Sequence, residues 1–239
     1  MNFIYDFIKK TSIYNFAKYI DHTILNPAAS IREIEQGVED YRRYRFACLV
    51  LSSYHALYVL SKYNDIRICS VIGFPMGYQP TDVKVKEAEI VLNRGAKEVD
   101  MVMNIQAFKS GNYDLVLNDI KRVVDIGHSY NALVKVIIET GLLSDEEKIR
   151  ATELVLKADA DYVKTCTGFL GGKATIHDVA LLKSIVGDRI GVKAAGGIRH
   201  AYDAIAMILA GASRIGTSSG VKIIEEYRRL KEKLEESKT

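Results

Sequence analysis

Short apolar segments alternate along the chain with longer segments whose apolar residues recur every three or four positions. The short segments predict eight strands, at residues 18–21, 46–51, 67–72, 98–103, 132–138, 161–164, 190–194 and 213–216. Between them, stretches such as 82–95 and 175–187 have the periodicity of an amphipathic helix and end at a glycine, the usual residue at a helix C-terminus. This alternation of strands and helices is typical of a parallel sheet.

Eight strand–helix units favour closure of the sheet into an α/β (β/α)8 TIM barrel, and residues 1–239 fit a single domain of that kind. An additional amphipathic N-terminal helix is expected within residues 1–18. Residues 222–239 are expected to form a last helix that frays into a charged tail. A doubly wound open sheet is the alternative, but no glycine-rich dinucleotide or phosphate-loop motif follows the first strand.

Composition narrows the function classes. The 33 Lys and Arg residues nearly balance the 30 Asp and Glu residues, which argues against a nucleic-acid groove or a membrane surface. No apolar run approaches the ~18–20 residues needed to span a bilayer. The three cysteines lack the spacing of a disulfide framework, and the histidines form no zinc motif. We therefore expect a cytoplasmic protein without a metal site.

Four predicted strands carry a charged residue where strands buried on both faces are normally all apolar: Asp100, Lys135, Lys164 and Lys193. A fifth charge, Asp21, ends the predicted first strand. An unpaired buried ion is costly, so these groups should be paired or shifted in pKa. Inward-facing positions of a barrel all point at one axis, so we expect the five side chains to converge there.

Two lysines and a carboxylate in a barrel mouth favour Schiff-base chemistry. An ordinary lysine, with a pKa of about 10.4, is protonated at neutral pH and is not a nucleophile. Desolvation and a second ammonium group lower that pKa and free the amine to attack a carbonyl. Lys164 and Lys193 lie 29 residues apart on consecutive predicted strands, and Asp100 is placed to balance charge and move protons.

Glycine-rich segments follow the last two predicted strands. Residues 194–200 (AAGGIRH) contain Gly196 and Gly197, and residues 216–220 (GTSSG) contain Ser218 and Ser219. Loops after strands 7 and 8 commonly bind phosphate in such barrels, through backbone N–H groups and a helix N-terminus. The sequence therefore predicts a phosphorylated substrate.

These motifs resemble the deoxyribose-phosphate aldolase family of class I aldolases, from about Tyr19 to Val221. The resemblance is carried by IDHTILNP (20–27), VIGFPMG (71–77), VKVKEAE (83–89), EVDMVMNI (98–105), LVKVIIETGLL (133–143), YVKTCTGF (162–169), VKAAGGIR (192–199) and RIGTSSG (214–220). It implies reversible cleavage of 2-deoxy-D-ribose 5-phosphate to acetaldehyde and D-glyceraldehyde 3-phosphate. It also implies no cofactor and a homodimer or homotetramer.

The resemblance assigns roles residue by residue. Lys164 matches the Schiff-base lysine, Lys193 the lysine that depresses its pKa, and Asp100 the aspartate of the proton relay. Lys135 and Asp21 match positions that complete the polar cluster. The positions matching the family's substrate- and phosphate-binding loops are Thr167, Gly168, Gly196, Gly197, Gly216, Ser218 and Ser219.

The chain departs from the family pattern in three segments. Ser52 and Ser53 replace the usual Asn or Tyr followed by Pro, Cys166 replaces a Ser, and residues 170–174 (LGGKA) introduce Lys173. Lys173 is either an extra phosphate ligand or, as we slightly favour, a solvated loop residue. Two other functions stay open: a different class I aldolase or transaldolase acting on a ketose phosphate, and a non-catalytic barrel that binds sugar phosphates.

Overall fold

The computed structural model describes residues 3–236, and within them eight parallel strands close into a barrel in sequence order. The strands are β1 (Ile20–Ile24), β2 (Cys48–Leu51), β3 (Ile68–Ile72), β4 (Glu98–Val102), β5 (Leu133–Ile137), β6 (Tyr162–Lys164), β7 (Gly191–Ala195) and β8 (Arg214–Thr217). Strand β8 pairs with β1, which closes the sheet. The TIM barrel predicted from the sequence is confirmed, and the open-sheet alternative is wrong.

Helices surround the barrel in the order expected for repeated strand–helix units. They are α1 (Phe3–Lys10), α2 (Ile13–Ala17), α3 (Ile31–Tyr44), α4 (Ser53–Lys62), α5 (Thr81–Asn93), α6 (Ile105–Lys109), α7 (Tyr113–Ser129), α8 (Asp145–Lys157), α9 (Ile176–Val186), α10 (Ala201–Leu209) and α11 (Gly220–Glu236), with a 3-10 turn at Thr140–Leu142. No helix among the described residues is long and apolar enough to cross a membrane.

Local sequence explains where several helices begin and end. Helices α3 and α8 each start at a serine whose hydroxyl accepts a backbone N–H three residues on, with a glutamate at that position bonding back. This reciprocal pair satisfies two of the N–H groups that a helix leaves unbonded at its start. Helix α9 ends at Gly187, whose φ of 57° favours glycine.

Two boundaries differ from the sequence prediction. The single helix expected within residues 1–18 is two helices, α1 and α2, because Ser12 stops the first and caps the second. The first strand spans Ile20–Ile24 rather than 18–21, since Lys18 and Tyr19 form a turn after α2. Asp21 is therefore the second residue of β1 and not its end, and its side chain is fully buried. The expected charged tail falls on residues 237–239, outside the described residues.

The register of the sheet sets which side chains meet inside the barrel. Asp100 lies opposite Lys135, and Lys164 lies opposite Lys193. Asp21 lies opposite Gly216 across the closing pair of strands. Outside the strands, α11 packs its buried Ile223, Ile224 and Tyr227 against the barrel. The apolar layer therefore lies between helices and sheet, while the barrel interior receives charged groups.

Candidate active site

Asp100 is the centre of a buried charge network in the barrel. Its Oδ2 lies 2.7 Å from Lys164 Nζ and 2.6 Å from Lys193 Nζ, and its Oδ1 lies 2.8 Å from Lys135 Nζ. Cys69 donates its thiol to the same Oδ1 at 3.1 Å. Burial opposes ionisation of Asp100, but the three ammonium groups outweigh it and hold its pKa well below the ordinary range. Asp100 is therefore a carboxylate at neutral pH.

Lys164 differs from the two neighbouring lysines in its basicity. Burial lowers the pKa of Lys164, and the nearby Lys193 ammonium lowers it further, whereas the Asp100 carboxylate raises it. Because burial is the largest effect, the pKa of Lys164 falls below the ordinary lysine value. For Lys193, attraction to Asp100 and Asp21 exceeds the effect of burial and the pKa is raised. Carboxylates raise the pKa of Lys135 in the same way. Lys164 is thus the lysine of the three that loses its proton most readily.

Asp21 and Lys135 connect this centre to a second set of ions. Asp21 Oδ2 lies 2.6 Å from Lys193 Nζ, and its Oδ1 lies 3.0 Å from Arg214 Nη1. Lys135 Nζ lies 2.6 Å from Glu98 Oε2, and Glu98 also accepts from Arg214 at 2.5 Å. All five charged side chains predicted from the sequence therefore belong to one network. Glu98 and Arg214, which were not predicted, extend it.

Glu98 and Arg214 were missed, although each left a signal in the sequence. Glu98 stands two residues before Asp100 on β4, and side chains two apart on a strand point to the same face. Arg214 opens β8 and lies within the predicted strand 213–216, but its charge was not singled out. Arg67 also binds Glu98, at 2.6 Å, from a side chain that is 43% exposed.

The charge balance of the buried network favours a neutral Lys164. Three carboxylates (Asp21, Glu98 and Asp100) face three cations other than Lys164 (Lys135, Lys193 and Arg214), and all are buried. A protonated Lys164 would add an uncompensated positive charge to this buried cluster, which is costly. The nearby Arg67 is partly solvated, so water screens its charge.

A cavity of about 380 Å³ opens above Lys164 at the C-terminal ends of the strands. Among the predicted substrate-binding residues, it is lined by Thr167, Gly168, Gly196, Gly197, Gly216 and Ser218. Ser219 does not line it; it borders an adjacent opening together with His22 and Ser218. Lys164 lines the cavity directly, whereas Lys193, Asp100, Lys135 and Asp21 lie beneath its floor.

One end of the cavity has the features of an anion site. Gly196 and Gly197 have φ values of 105° and 76°, which only glycine adopts readily, and Gly216 has no room for a methyl group beside Lys193 and Ala195. The turn at residues 218–219 connects β8 directly to α11, a helix of 17 residues. Backbone N–H groups at such a helix N-terminus attract phosphate.

The departures from the family pattern have local explanations. Ser52 caps α4, so its hydroxyl is occupied by a backbone N–H. Cys166 is buried, lies 3.3 Å from Thr140 Oγ1, and has a pKa raised by burial to about 11. Lys173 is exposed, and its carbon stem packs on Gly197, which lines the cavity.

His22 lies outside the buried charge network, and a carboxylate in each group of potential metal ligands already binds a cationic side chain. His22 stacks on Phe46, and burial lowers its pKa to about 4. Among residues 3–236, two groups of side chains have metal-ligand spacing: Cys48 with Cys69 and Glu98, and Asp145 with His177 and Asp178. The second group already holds the ammonium of Lys148, 2.7 Å from Asp178. Glu98 of the first group is bound by Arg214 and Lys135.

Comparisons with known proteins agree with this geometry. The model of the DeoC/LacD aldolase family matches residues 16–226. A deoxyribose-phosphate aldolase of Thermococcus gammatolerans is 51% identical over 218 residues, covering 90% of this chain and 97% of the relative. One of Caldanaerobacter subterraneus is 49% identical over 224 residues, covering 92% and 97%.

Solved structures show the same likeness. A tetrameric deoxyribose phosphate aldolase from Aeropyrum pernix superposes with a TM-score of 0.88 at 35% identity, covering 96% of this chain and 98% of that one. An aldolase designated QR15 superposes with a TM-score of 0.86 at 43% identity, covering 90% and 96%.

Proposed function

Since this chain belongs to the DeoC/LacD family of aldolases, we propose that it cleaves 2-deoxy-D-ribose 5-phosphate reversibly to acetaldehyde and D-glyceraldehyde 3-phosphate. The observation that carries the proposal is Lys164, a buried amine of lowered pKa that lines a cavity and touches Asp100. A lysine of this kind is a nucleophile toward an aldehyde carbon.

The reaction begins with attack of neutral Lys164 Nζ on the C1 aldehyde of the open-chain sugar. The resulting carbinolamine loses water and becomes an iminium. The C3 hydroxyl then loses its proton, the C2–C3 bond breaks, and its electrons move into an enamine while glyceraldehyde 3-phosphate leaves. Protonation of the enamine at C2 and hydrolysis release acetaldehyde and regenerate the amine.

Asp100 has two roles in this reaction: it stabilises positive charge and it transfers protons. Its ionised Oδ2, 2.7 Å from Lys164 Nζ, stabilises the positive iminium nitrogen. Asp100 also relays protons through water, the role that its match to the family aspartate assigns to it. Lys193 keeps Lys164 from protonating, while Lys135 and Asp21 hold Asp100 and Lys193 in place.

The phosphate lies, in this proposal, at the glycine-rich end of the cavity. The backbone around Gly196 and Gly197 and the start of α11 supply N–H donors, and Ser218 supplies a hydroxyl, whereas Ser219 borders the adjacent opening. Thr167, Gly168 and Gly216 complete the wall between this end and Lys164. A phosphorylated aldehyde thereby spans the cavity with its carbonyl at Lys164.

The deciding experiment is incubation with acetaldehyde and borohydride, followed by intact-mass analysis and peptide mapping. We expect one reduced two-carbon adduct, on Lys164. Lys164→Arg should lose both the adduct and turnover, because a guanidinium stays protonated. Lys173→Arg, which changes an exposed lysine near the cavity, is the matched control and should keep both. Absence of a Lys164 adduct in the wild-type protein would overturn the mechanism.

Substrate choice has its own test. Cleavage of deoxyribose 5-phosphate should exceed cleavage of fructose phosphates, and the reverse order would favour another class I aldolase.

We further propose one barrel domain over the whole chain and a cytoplasmic location. We also propose a homodimer or homotetramer, as for the tetrameric relative from Aeropyrum pernix. Light scattering after size exclusion measures the assembly directly.

A further inference from the structure

Glu139 has an unusual position directly after β5. Its φ of 56° lies in the left-handed region, which residues other than glycine seldom adopt, and its side chain is fully buried. Such a conformation is strained and persists only where surrounding contacts enforce it. Glu139 is neither one of the predicted site residues nor a participant in the proposed reaction.

The carboxylate of Glu139 holds the segment that follows the nucleophile. Its Oε2 accepts the backbone N–H of Thr167 at 2.9 Å, and Thr167 lines the cavity three residues after Lys164. The flanking backbone runs beside the same segment, because Ile138 N–H donates to the Lys164 carbonyl and Thr140 N–H to the Thr165 carbonyl, both at 3.0 Å. Residue 139 is therefore tied to the 164–167 segment on both sides.

The other carboxylate oxygen faces the loop 170–174, which follows the cavity-lining residues 167–169. Oε1 is buried and has no hydrogen-bond partner among residues 3–236. A methyl group on Gly172 would come within 2.9 Å of this oxygen and 3.2 Å of Cys166 Sγ, so the loop passes directly over it. The same loop reaches the opposite wall, where Ala174 N–H donates to the Gly196 carbonyl at 3.0 Å.

We propose that Glu139 is a positioning residue that sets the substrate-binding wall of the cavity. By accepting the Thr167 N–H it fixes Thr167 and Gly168, and by filling the space under Gly172 it supports the loop 170–174 against Gly196. This inference rests on the proposed function, since it assigns Glu139 to the phosphate end of that substrate. Glu139 has no bond to Lys164 Nζ, Lys193 or Asp100 in the described structure, so it acts on substrate binding and not on the basicity of the nucleophile.

Two variants of Glu139 test the proposal. Glu139→Ala removes the acceptor and should raise KM for deoxyribose 5-phosphate by about tenfold to a hundredfold, the range for a lost hydrogen bond to a charged group. The kcat/KM for deoxyribose 5-phosphate, divided by the kcat/KM for unphosphorylated deoxyribose, should fall in this variant. The acid limb of the pH profile should stay in place, because Lys164 is unaffected. Glu139→Gln keeps an acceptor for Thr167 and should keep KM within about threefold of the wild type.

Control variants separate positioning from general stability. Val155→Ala removes buried volume in α8, away from the cavity, and should lower stability without changing the substrate ratio. If Glu139→Ala fails to fold, Gly172→Ala takes its place: the added methyl crowds Oε1 and should raise KM in the same way. Wild-type KM and substrate ratio in the folded variant overturn the proposal. An equal rise in KM in Glu139→Gln and Glu139→Ala also overturns it, since loss of the hydrogen-bond acceptor for Thr167 would then not be the cause.

The trapping experiment keeps the two proposals distinguishable. Both Glu139 variants should still form the borohydride-reduced adduct with acetaldehyde on Lys164, because acetaldehyde carries no phosphate. An adduct with unchanged KM rejects only the role of Glu139. A wild-type protein without an adduct rejects the aldolase mechanism itself.

Discussion

Replacing Lys193 with methionine isolates the electrostatic effect of one ammonium group on the nucleophile. Methionine has a similar length and keeps the buried stem filled, but it carries no charge. Lys193 Nζ and Lys164 Nζ lie 2.6 Å and 2.7 Å from the same Asp100 oxygen. The two nitrogens are therefore separated by no more than about 5 Å. In the variant, Asp100 loses one of its cations and attracts the proton of Lys164 more strongly.

The size of the effect follows from Coulomb's law. Two unit charges about 5 Å apart at an effective dielectric constant of about 20 repel by roughly 3 kcal/mol, which corresponds to about two pKa units. Relaxation of the site reduces this repulsion, and we expect the pKa of Lys164 to rise once the Lys193 ammonium is removed. The reactive form is the neutral amine, so the acid limb of activity should move to higher pH.

The assay is the pH dependence of kcat/KM for deoxyribose 5-phosphate, which reports groups of the free enzyme. At neutral pH the Lys193→Met variant should lose roughly tenfold to a hundredfold in rate and recover part of it at alkaline pH. Lys193→Arg retains a cation and should show no upward shift. An acid limb of Lys193→Met that coincides with the wild-type limb would refute the reasoning, whatever the absolute rate.

Three further predictions concern stability and binding. Glu98→Gln should lower the free energy of unfolding by about 3–5 kcal/mol in urea titrations, because Arg214 and Lys135 each lose one of their buried carboxylate partners. Since the pKa of Glu98 is depressed in the folded state, its contribution exists above the unfolded value of about 4.3 and fades as pH falls. The deficit of Glu98→Gln should therefore shrink in acid, and a constant deficit would contradict the assignment. Gly77→Ala should cost about 2 kcal/mol or more, because φ is 74° and the methyl would meet the Met103 carbonyl oxygen at 2.1 Å; an unchanged melting temperature would contradict this. Lys173→Ala should raise KM for the phosphorylated substrate less than about fivefold and only at low salt, as for an exposed charge; a larger, salt-independent rise would make it a direct ligand.

The alternation of strands and helices was readable from the sequence because it depends on local periodicity. A strand repeats every two residues and a helix every 3.6, so the apolar pattern marks each element without knowledge of its neighbours. The errors occurred where local competition decides the boundary. Ser12 divides the predicted N-terminal helix into two. The turn at Lys18 makes β1 begin later than predicted, so Asp21 lies within the strand rather than at its end.

The sequence also determined that charges meet inside the barrel, because Asp100, Lys135, Lys164 and Lys193 interrupt strands that should be apolar. Only the tertiary structure decided which charge pairs with which. Pairing depends on the register and closure of the whole sheet, and these bring Glu98 to Arg214 across 116 residues of chain. The same is true of Glu139, whose importance lies in a backbone conformation and in contacts with a distant loop. Residue type and spacing predict where ions are buried; three-dimensional proximity alone makes one of several lysines less basic than the others.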